Sequence, residues 1–156
     1  MNVRTIHHFE DEPELVKWIP GTLLNLYWRD HPDWITHEGN FVEHDERLTT
    51  FQLNPNGTLW TLRYQIYTDQ HEFRGNFKGE PSDIVLVDLM NAGATPGFQV
   101  YQEAVQALGP AYVYFLTAFP GEVKAQYNTL SDDYVLSKPV DVPDLTRLLI
   151  RKLAIG

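Results

Sequence analysis

A chain of 156 residues, 43% of them hydrophobic and 21% charged, is long enough to bury one sizeable core and too short for two ordinary domains. Its 12 Lys and Arg stand against 21 Asp and Glu, a formal charge of −9, so there is no basic stripe to follow a phosphate backbone and direct nucleic-acid binding is not expected. The absence of cysteine excludes disulfides, thiolate zinc sites and cysteine nucleophiles, and suits a reducing cytoplasm. The opening MNVRTIHHFEDE turns polar within a few residues, and no run of about 18 apolar residues occurs, so neither a signal peptide nor a membrane span is expected.

Residues 3–9 read as a short strand running into the acidic triplet Glu10-Asp11-Glu12 and then Pro13, a residue suited to a first helical turn. Leu15, Trp18, Ile19, Leu23, Leu26 and Tyr27 recur at helical spacing, with a break or kink at Pro20-Gly21. Segments 47–53 and 58–68 flank Asn54-Pro55-Asn56-Gly57, a strong hairpin signal because Asn and Gly both tolerate positive φ. In the second of them Trp60, Leu62, Tyr64 and Ile66 alternate with wetter residues, and 69–79 reads as an exposed loop. From Ser82 onward strands and helices alternate. Ile84 to Val87 form a strand buried on both faces that ends on Asp88. A helix starts at Thr95-Pro96 and stops at Gly109-Pro110, the strand 111–116 delivers Thr117-Ala118, a helix is drawn near 121–130, the strand 133–137 delivers Lys138-Pro139, and Asp141 caps the last helix.

The exits of the parallel strands then carry Glu10 and Asp11, Asp88, Thr117 and Lys138. Each has an ordinary reading alone: acids favour a helix N-terminus, a Thr caps, a Lys before Pro is solvated. Gathered at one edge of one sheet, three carboxylates repel one another unless a cation neutralises them, and oxygen ligands without His or Cys point to Mg²⁺ rather than zinc.

With these residues in place the chain resembles the receiver domain of two-component response regulators. "FEDEPEL" is similar to the acidic turn that opens such domains, "IVLVDLM" to the strand bearing the phosphoacceptor, "FLTA" to the strand with a hydroxyl residue, and "DDYVLSKPV" to the segment with Lys followed by Pro. The spacings 117 − 88 = 29 and 138 − 117 = 21 each leave room for one helix and one strand. The resemblance implies one domain over 1–156 with an α/β, flavodoxin-like, doubly wound parallel sheet in the order 2-1-3-4-5, carrying an inserted antiparallel β-hairpin. It also implies roles. Asp88 would accept the phosphoryl group; Asp11, Asp88 and the backbone carbonyl of Met90 would hold Mg²⁺, with Glu10 acting through water; Lys138 would pair with the phosphoryl oxygen. Thr117 would move to hydrogen-bond the phosphoryl group, with Tyr134 or Val135 as the companion switch residue, and no organic cofactor is implied. The partners implied are a histidine kinase or phosphotransfer protein and an unidentified downstream protein, and the catalysis implied is limited to the chain's own phosphorylation and hydrolysis.

Departures from the pattern are as informative. The span 88 − 11 = 77 is long for the family, so about 30–80, including the hairpin 47–68, reads as a divergent insertion. No proline follows the phosphoacceptor, His7 and His8 occupy places normally apolar, and Val135 stands where the switch aromatic is usual, with Tyr134 one place off. His31, His37 and His44 lie in an irregular stretch and read as surface residues; Trp18, Trp28, Trp34 and Trp60 read as packing. A projecting aromatic hairpin suits a partner or a second copy of the chain, so the alternative function is a degenerate receiver acting as a phosphorylation-independent interaction module. A haloacid-dehalogenase-type phosphatase is disfavoured because that chemistry needs a second Asp where Met90 stands.

Overall fold

The first strand forms the centre of the molecule because its side chains are buried on both faces. β1 (Asn2–Phe9) pairs in parallel with two neighbours, and residues 5–10 are all buried. A computed structural model describes residues 2–35, 47–89 and 95–156, and the backbone of 41–44. Its other strands are β2 (Phe41–His44), β3 (Leu48–Leu53), β4 (Trp60–Tyr67), β5 (Ile84–Val87), β6 (Val113–Thr117) and β7 (Val135–Ser137). They form one sheet in the order β2-β3-β4-β1-β5-β6-β7. The run β4-β1-β5-β6-β7 is parallel throughout and reproduces the expected order 2-1-3-4-5, while β2 and β3 extend it antiparallel at the β4 edge.

Among the described residues five α-helices cover the two faces. α1 (Ile19–Asp30) and α5 (Val142–Leu153) bury Ile19, Leu23, Tyr27, Leu145, Leu149 and Leu153 against one face, where they meet Ile6, Leu62, Tyr64, Leu86 and Leu116. α2 (Gln70–Asn76), α3 (Thr95–Leu108) and α4 (Pro120–Gln126) cover the other, packing Phe73, Val100, Ala104 and Val123 on Phe9, Val85, Val87 and Phe115. Burying such side chains stabilises each face by roughly 1.5–3 kcal/mol per residue before entropy is counted. None of the described helices is long and apolar enough to cross a membrane.

Three sequence expectations are corrected here. The hairpin forms, with Asn56 and Gly57 at φ 53° and 81°, but its second strand is no appendage. β4 pairs with β1 over eight residues and is the second strand of the parallel set, so among the described residues of 30–80 only β2 and β3 lie outside that set as strands. The local Asn-Gly signal reports the β3–β4 turn and carries nothing about pairing between residues 58 apart in sequence. The stretch 69–79, expected as a loop, contains α2: the Asp69 side chain accepts the Glu72 N–H at 2.7 Å, and Phe73 inserts into the core. Asp-x-x-Glu is a start signal for a helix, and here Glu72 also accepts from the Thr68 hydroxyl at 3.0 Å. Finally, Phe41–His44, read as irregular, is an edge strand. His44 lies in it, His37 lies outside the described residues, and His31 ends α1 and stacks on Trp34 at 3.9 Å.

α3 comes very close to the end of β5. A Cβ added at Gly97 would stand 2.7 Å from the Asp88 carbonyl oxygen and 2.8 Å from Leu89 Cδ2. Gly97→Ala is therefore expected to cost about 1–3 kcal/mol as the helix is pushed off the strand. Urea unfolding checks it; an unchanged midpoint would mean that α3 shifts freely at this point.

Candidate functional site at the carboxyl end of the sheet

The strand exits are fastened to one another by backbone hydrogen bonds. Glu10 N–H donates to the Tyr67 carbonyl at 2.9 Å, Asp88 N–H to that of Phe9 at 3.0 Å, and Lys138 N–H to that of Thr117 at 2.9 Å. Glu10 and Asp88 are thus held one step beyond buried strands and Lys138 one step beyond the half-buried β7, each pinned to the strand beside it. Ligands gather at such edges in open parallel sheets.

Glu10, Asp11 and Asp88 each offer a carboxylate oxygen, and those oxygens lie within 4.8 Å of one another. Glu10 is 1% exposed and Asp88 6%, while Asp11 is half-buried and opens the cluster to solvent. Lys138 Nζ donates to Glu10 Oε1 at 2.5 Å and stands 3.3 Å from Asp88 Oδ2. One ammonium therefore serves two buried acids. Burial, then a hydrogen bond with Asp88, pushes the Glu10 carboxyl up to about 8, against the opposing pull of Lys138. For Lys138 burial works against the charge, but its hydrogen bond to Glu10 and the charges of Glu10 and Asp88 outweigh it, and the ammonium is held above the usual lysine range. These two shifts pull apart, since a protonated Glu10 would support Lys138 less. Asp88 Oδ2, 3.3 Å from Nζ, gives the ammonium a second carboxyl partner.

The sign of the Glu10 shift gives a pH prediction. The folded chain keeps a proton that the unfolded chain releases near 4.5, so this stabilisation is complete below about 4.5 and is lost as pH rises through about 8. Without divalent cations, the unfolding free energy of the wild type relative to Glu10→Gln is expected to fall between about pH 4.5 and about pH 8. Denaturant unfolding at several pH values checks this, and a difference that does not vary with pH contradicts it.

Thr117 ends β6, is fully buried, and its hydroxyl oxygen accepts the Phe119 N–H at 3.0 Å. It ends at the sheet edge that carries the acids, and its carbonyl accepts the Lys138 N–H. The two switch candidates separate. Val135 pairs with Phe115 and packs on the α2/α3/α4 side, the face that Thr117 shares by strand alternation, whereas Tyr134 packs toward the α1/α5 side with its ring 5.1 Å from that of Tyr114. Met90 lies outside the described residues.

His7 and His8, at places normally apolar and expected as hydrogen-bonded core or edge histidines, are both hydrogen-bonded. They point to opposite faces, and both are buried. His7 Nδ1 meets Tyr67 Oη at 2.8 Å and Nε2 meets Asp83 Oδ2 at 3.0 Å. His8 Nδ1 meets Tyr64 Oη at 2.6 Å, and its Nε2 has no partner. His8 lies two residues before Glu10 on the same strand, so strand alternation turns both to one face. Alternation could have placed it beneath the acids from sequence alone.

No protein-family model and no curated protein matches the chain. Among solved structures it is similar to the non-phosphorylated HemR receiver domain from Leptospira biflexa, with a TM-score of 0.56 at 17% identity, covering 98% of this chain and 96% of that one. The fold is that of a response-regulator receiver domain. The receiver domain of the Francisella response regulator 1452 gives a TM-score of 0.52 at 12% identity and 96% coverage of both chains. In terms of the receiver fold, β4, β1, β5, β6 and β7 supply the five parallel strands, and the acid cluster sits where β1 and β5 end side by side.

Proposed function

We propose that the chain is a phosphoacceptor receiver that takes a phosphoryl group on Asp88 and relays the change to a partner protein. The observation that carries this reading is the joint placement of three carboxylates and the Lys138 ammonium at one strand edge. Three hard oxygen donors so close together suit a small divalent cation such as Mg²⁺. Asp11 and Asp88 would hold it, with Glu10 behind them and the Met90 carbonyl as the remaining protein ligand. When bound, the ion offsets the charge that otherwise keeps a carboxylate from a phosphoryl group.

In the proposed reaction an Asp88 carboxylate oxygen forms a bond to the phosphorus of a phosphohistidine or small phosphodonor, the donor's bond to phosphorus breaks, and the donor leaves with its electron pair. Lys138 exchanges its carboxylate partners for a phosphoryl oxygen. Thr117 turns its hydroxyl from Phe119 toward the new group, which draws on the start of α4. Water later cleaves the acyl phosphate, so the chain catalyses only its own modification and its reversal. A histidine kinase or phosphotransfer protein in the cytoplasm is the donor this chemistry fits. An apolar groove beside Lys138, lined by Leu15, Val16, Ile19, Leu116, Pro139 and Val140, with Leu15 54% exposed, supports a protein docking there.

A second reading, a receiver that binds its partner without phosphorylation, is favoured by one observation. The two antiparallel strands β2 and β3 lengthen the sheet beyond the parallel set and end it on an edge to which another chain can add. Intact-mass measurement after incubation with Mg²⁺ and acetyl phosphate separates the two. A magnesium-dependent gain of one phosphoryl group supports the phosphoacceptor; an unmodified, folded protein supports the constitutive module.

A further inference from the structure

The face of the sheet that carries α2 is covered only in part. α2 has seven residues and is about 10 Å long, whereas the eight-residue β4 beneath it runs for about 26 Å. Phe73 closes the core over Phe9 and Tyr67. The earlier residues of β1 and β4 on that face line a cavity of about 350 Å³, to which the helices contribute only Asn76. The two strands are written accordingly. Toward α1 they present Ile6, Leu62 and Tyr64, all buried, and toward the cavity Thr5, His7, Arg63 and Gln65. A face meant for a packed helix would be apolar, so the sequence encodes a polar cavity here.

The cavity has a fixed floor and a cationic rim. Asp83, 2% exposed, accepts the Thr5 and Glu80 N–H groups and meets His7 Nε2 at 3.0 Å, and His7 Nδ1 meets the Tyr67 hydroxyl at 2.8 Å. Phe77 holds the imidazole edge-on, 4.8 Å between ring centres. These buried groups satisfy one another and stay in place. Arg63, Lys78 and Glu80 line the same space from exposed positions, and among the described residues none of the three side chains makes an ion pair or a hydrogen bond. Two free cations against one free acid leave a positive surplus, in a chain whose formal charge is −9.

We infer that this cavity binds a small oxyanion, a carboxylate or a phosphate, held by the Arg63 guanidinium and the Lys78 ammonium over the floor of Tyr67, His7 and Asp83. The guanidinium offers paired N–H donors that match two oxygens of one group, and the ammonium adds a point charge. Glu80 limits the negative charge that is tolerated, so the ligand is a mono- or dianion rather than a polyphosphate. The volume suits a small molecule. The site is separate from the acid cluster, since Asp83 precedes β5 and Asp88 follows it, about 16 Å apart along the strand. It stands whether or not Asp88 accepts a phosphoryl group.

The test is a ¹H–¹⁵N NMR titration of the full chain with a chelator and no divalent cation, using inorganic phosphate in one arm and succinate in the other. The expected result is saturable shifts centred on the amides of 63–67 and 76–83 in at least one arm, and the arm that saturates identifies the oxyanion. Arg63→Gln and Lys78→Gln are each expected to weaken binding about tenfold, whereas Lys17→Gln, which removes an exposed cation elsewhere, leaves it unchanged. Both rim residues are exposed and unpaired, so these variants keep the wild-type backbone spectrum. Absence of saturation in both arms overturns the inference, as does binding that survives the loss of Arg63 or of Lys78, or that falls equally in Lys17→Gln. Asp88→Asn is expected to bind as the wild type does; binding lost in that variant would put the anion at the acid cluster and overturn the inference as well.

Discussion

Asp88→Asn is expected to abolish the magnesium-dependent phosphoryl adduct and to weaken divalent-cation binding by at least about tenfold, because a ligand charge is lost from a set of three. The amide keeps the shape and the backbone bond to Phe9, so the strand exit stays in place. The amide nitrogen cannot accept a phosphoryl group as a carboxylate oxygen does, and the second buried partner of Lys138 is gone. Removing one of three close carboxylates also relieves repulsion, so the variant is expected to remain folded by circular dichroism. Mass spectrometry and a magnesium titration followed by tryptophan fluorescence check both parts. An adduct retained in Asp88→Asn would move the acceptor to another residue.

Asp83→Ala is expected to be among the most destabilising single changes outside the apolar core, at about 3–5 kcal/mol. Asp83 is 2% exposed at the entry to β5. Its Oδ1 accepts the Thr5 N–H at 3.0 Å, and its Oδ2 accepts the Glu80 N–H at 3.1 Å and meets His7 Nε2 at 3.0 Å. Alanine would leave two buried or half-buried backbone donors and a buried imidazole unpaired at once. Asp83→Asn keeps one acceptor oxygen and is expected to cost less, about 1–2 kcal/mol. Urea unfolding of the two variants provides the comparison, and a loss under about 1 kcal/mol in Asp83→Ala would show that water replaces the carboxylate at this site.

How much of this was visible in the sequence follows from the range of each signal. The parallel strands were legible because Ile84 to Val87 and the segment around Phe115 are continuous apolar runs bounded by turn residues. Their exits were legible for the same reason, and Glu10, Asp11, Asp88 and Lys138 meet as spacing and resemblance together implied. β4 was seen as a strand but assigned to the wrong partner set, since its alternation describes one covered face and says nothing about β1. α2 was lost because its Asp-x-x-Glu start lies in a polar stretch in which Phe73 is the lone buried residue of the helix. The pairings of His7 with Asp83 and of His8 with Tyr64 link residues 76 and 56 apart in sequence, and no local pattern carries such a contact.

The most direct measurement is a crystal structure of the chain grown with Mg²⁺ and beryllofluoride. The expected result is one cation touching the carboxylates of both Asp11 and Asp88, with the beryllofluoride on Asp88 and Lys138 Nζ turned from Glu10 to a fluorine. A chain that binds neither group there, with Lys138 still paired to Glu10 and Asp88, would contradict the phosphoacceptor account and leave the acid cluster a structural feature of the fold.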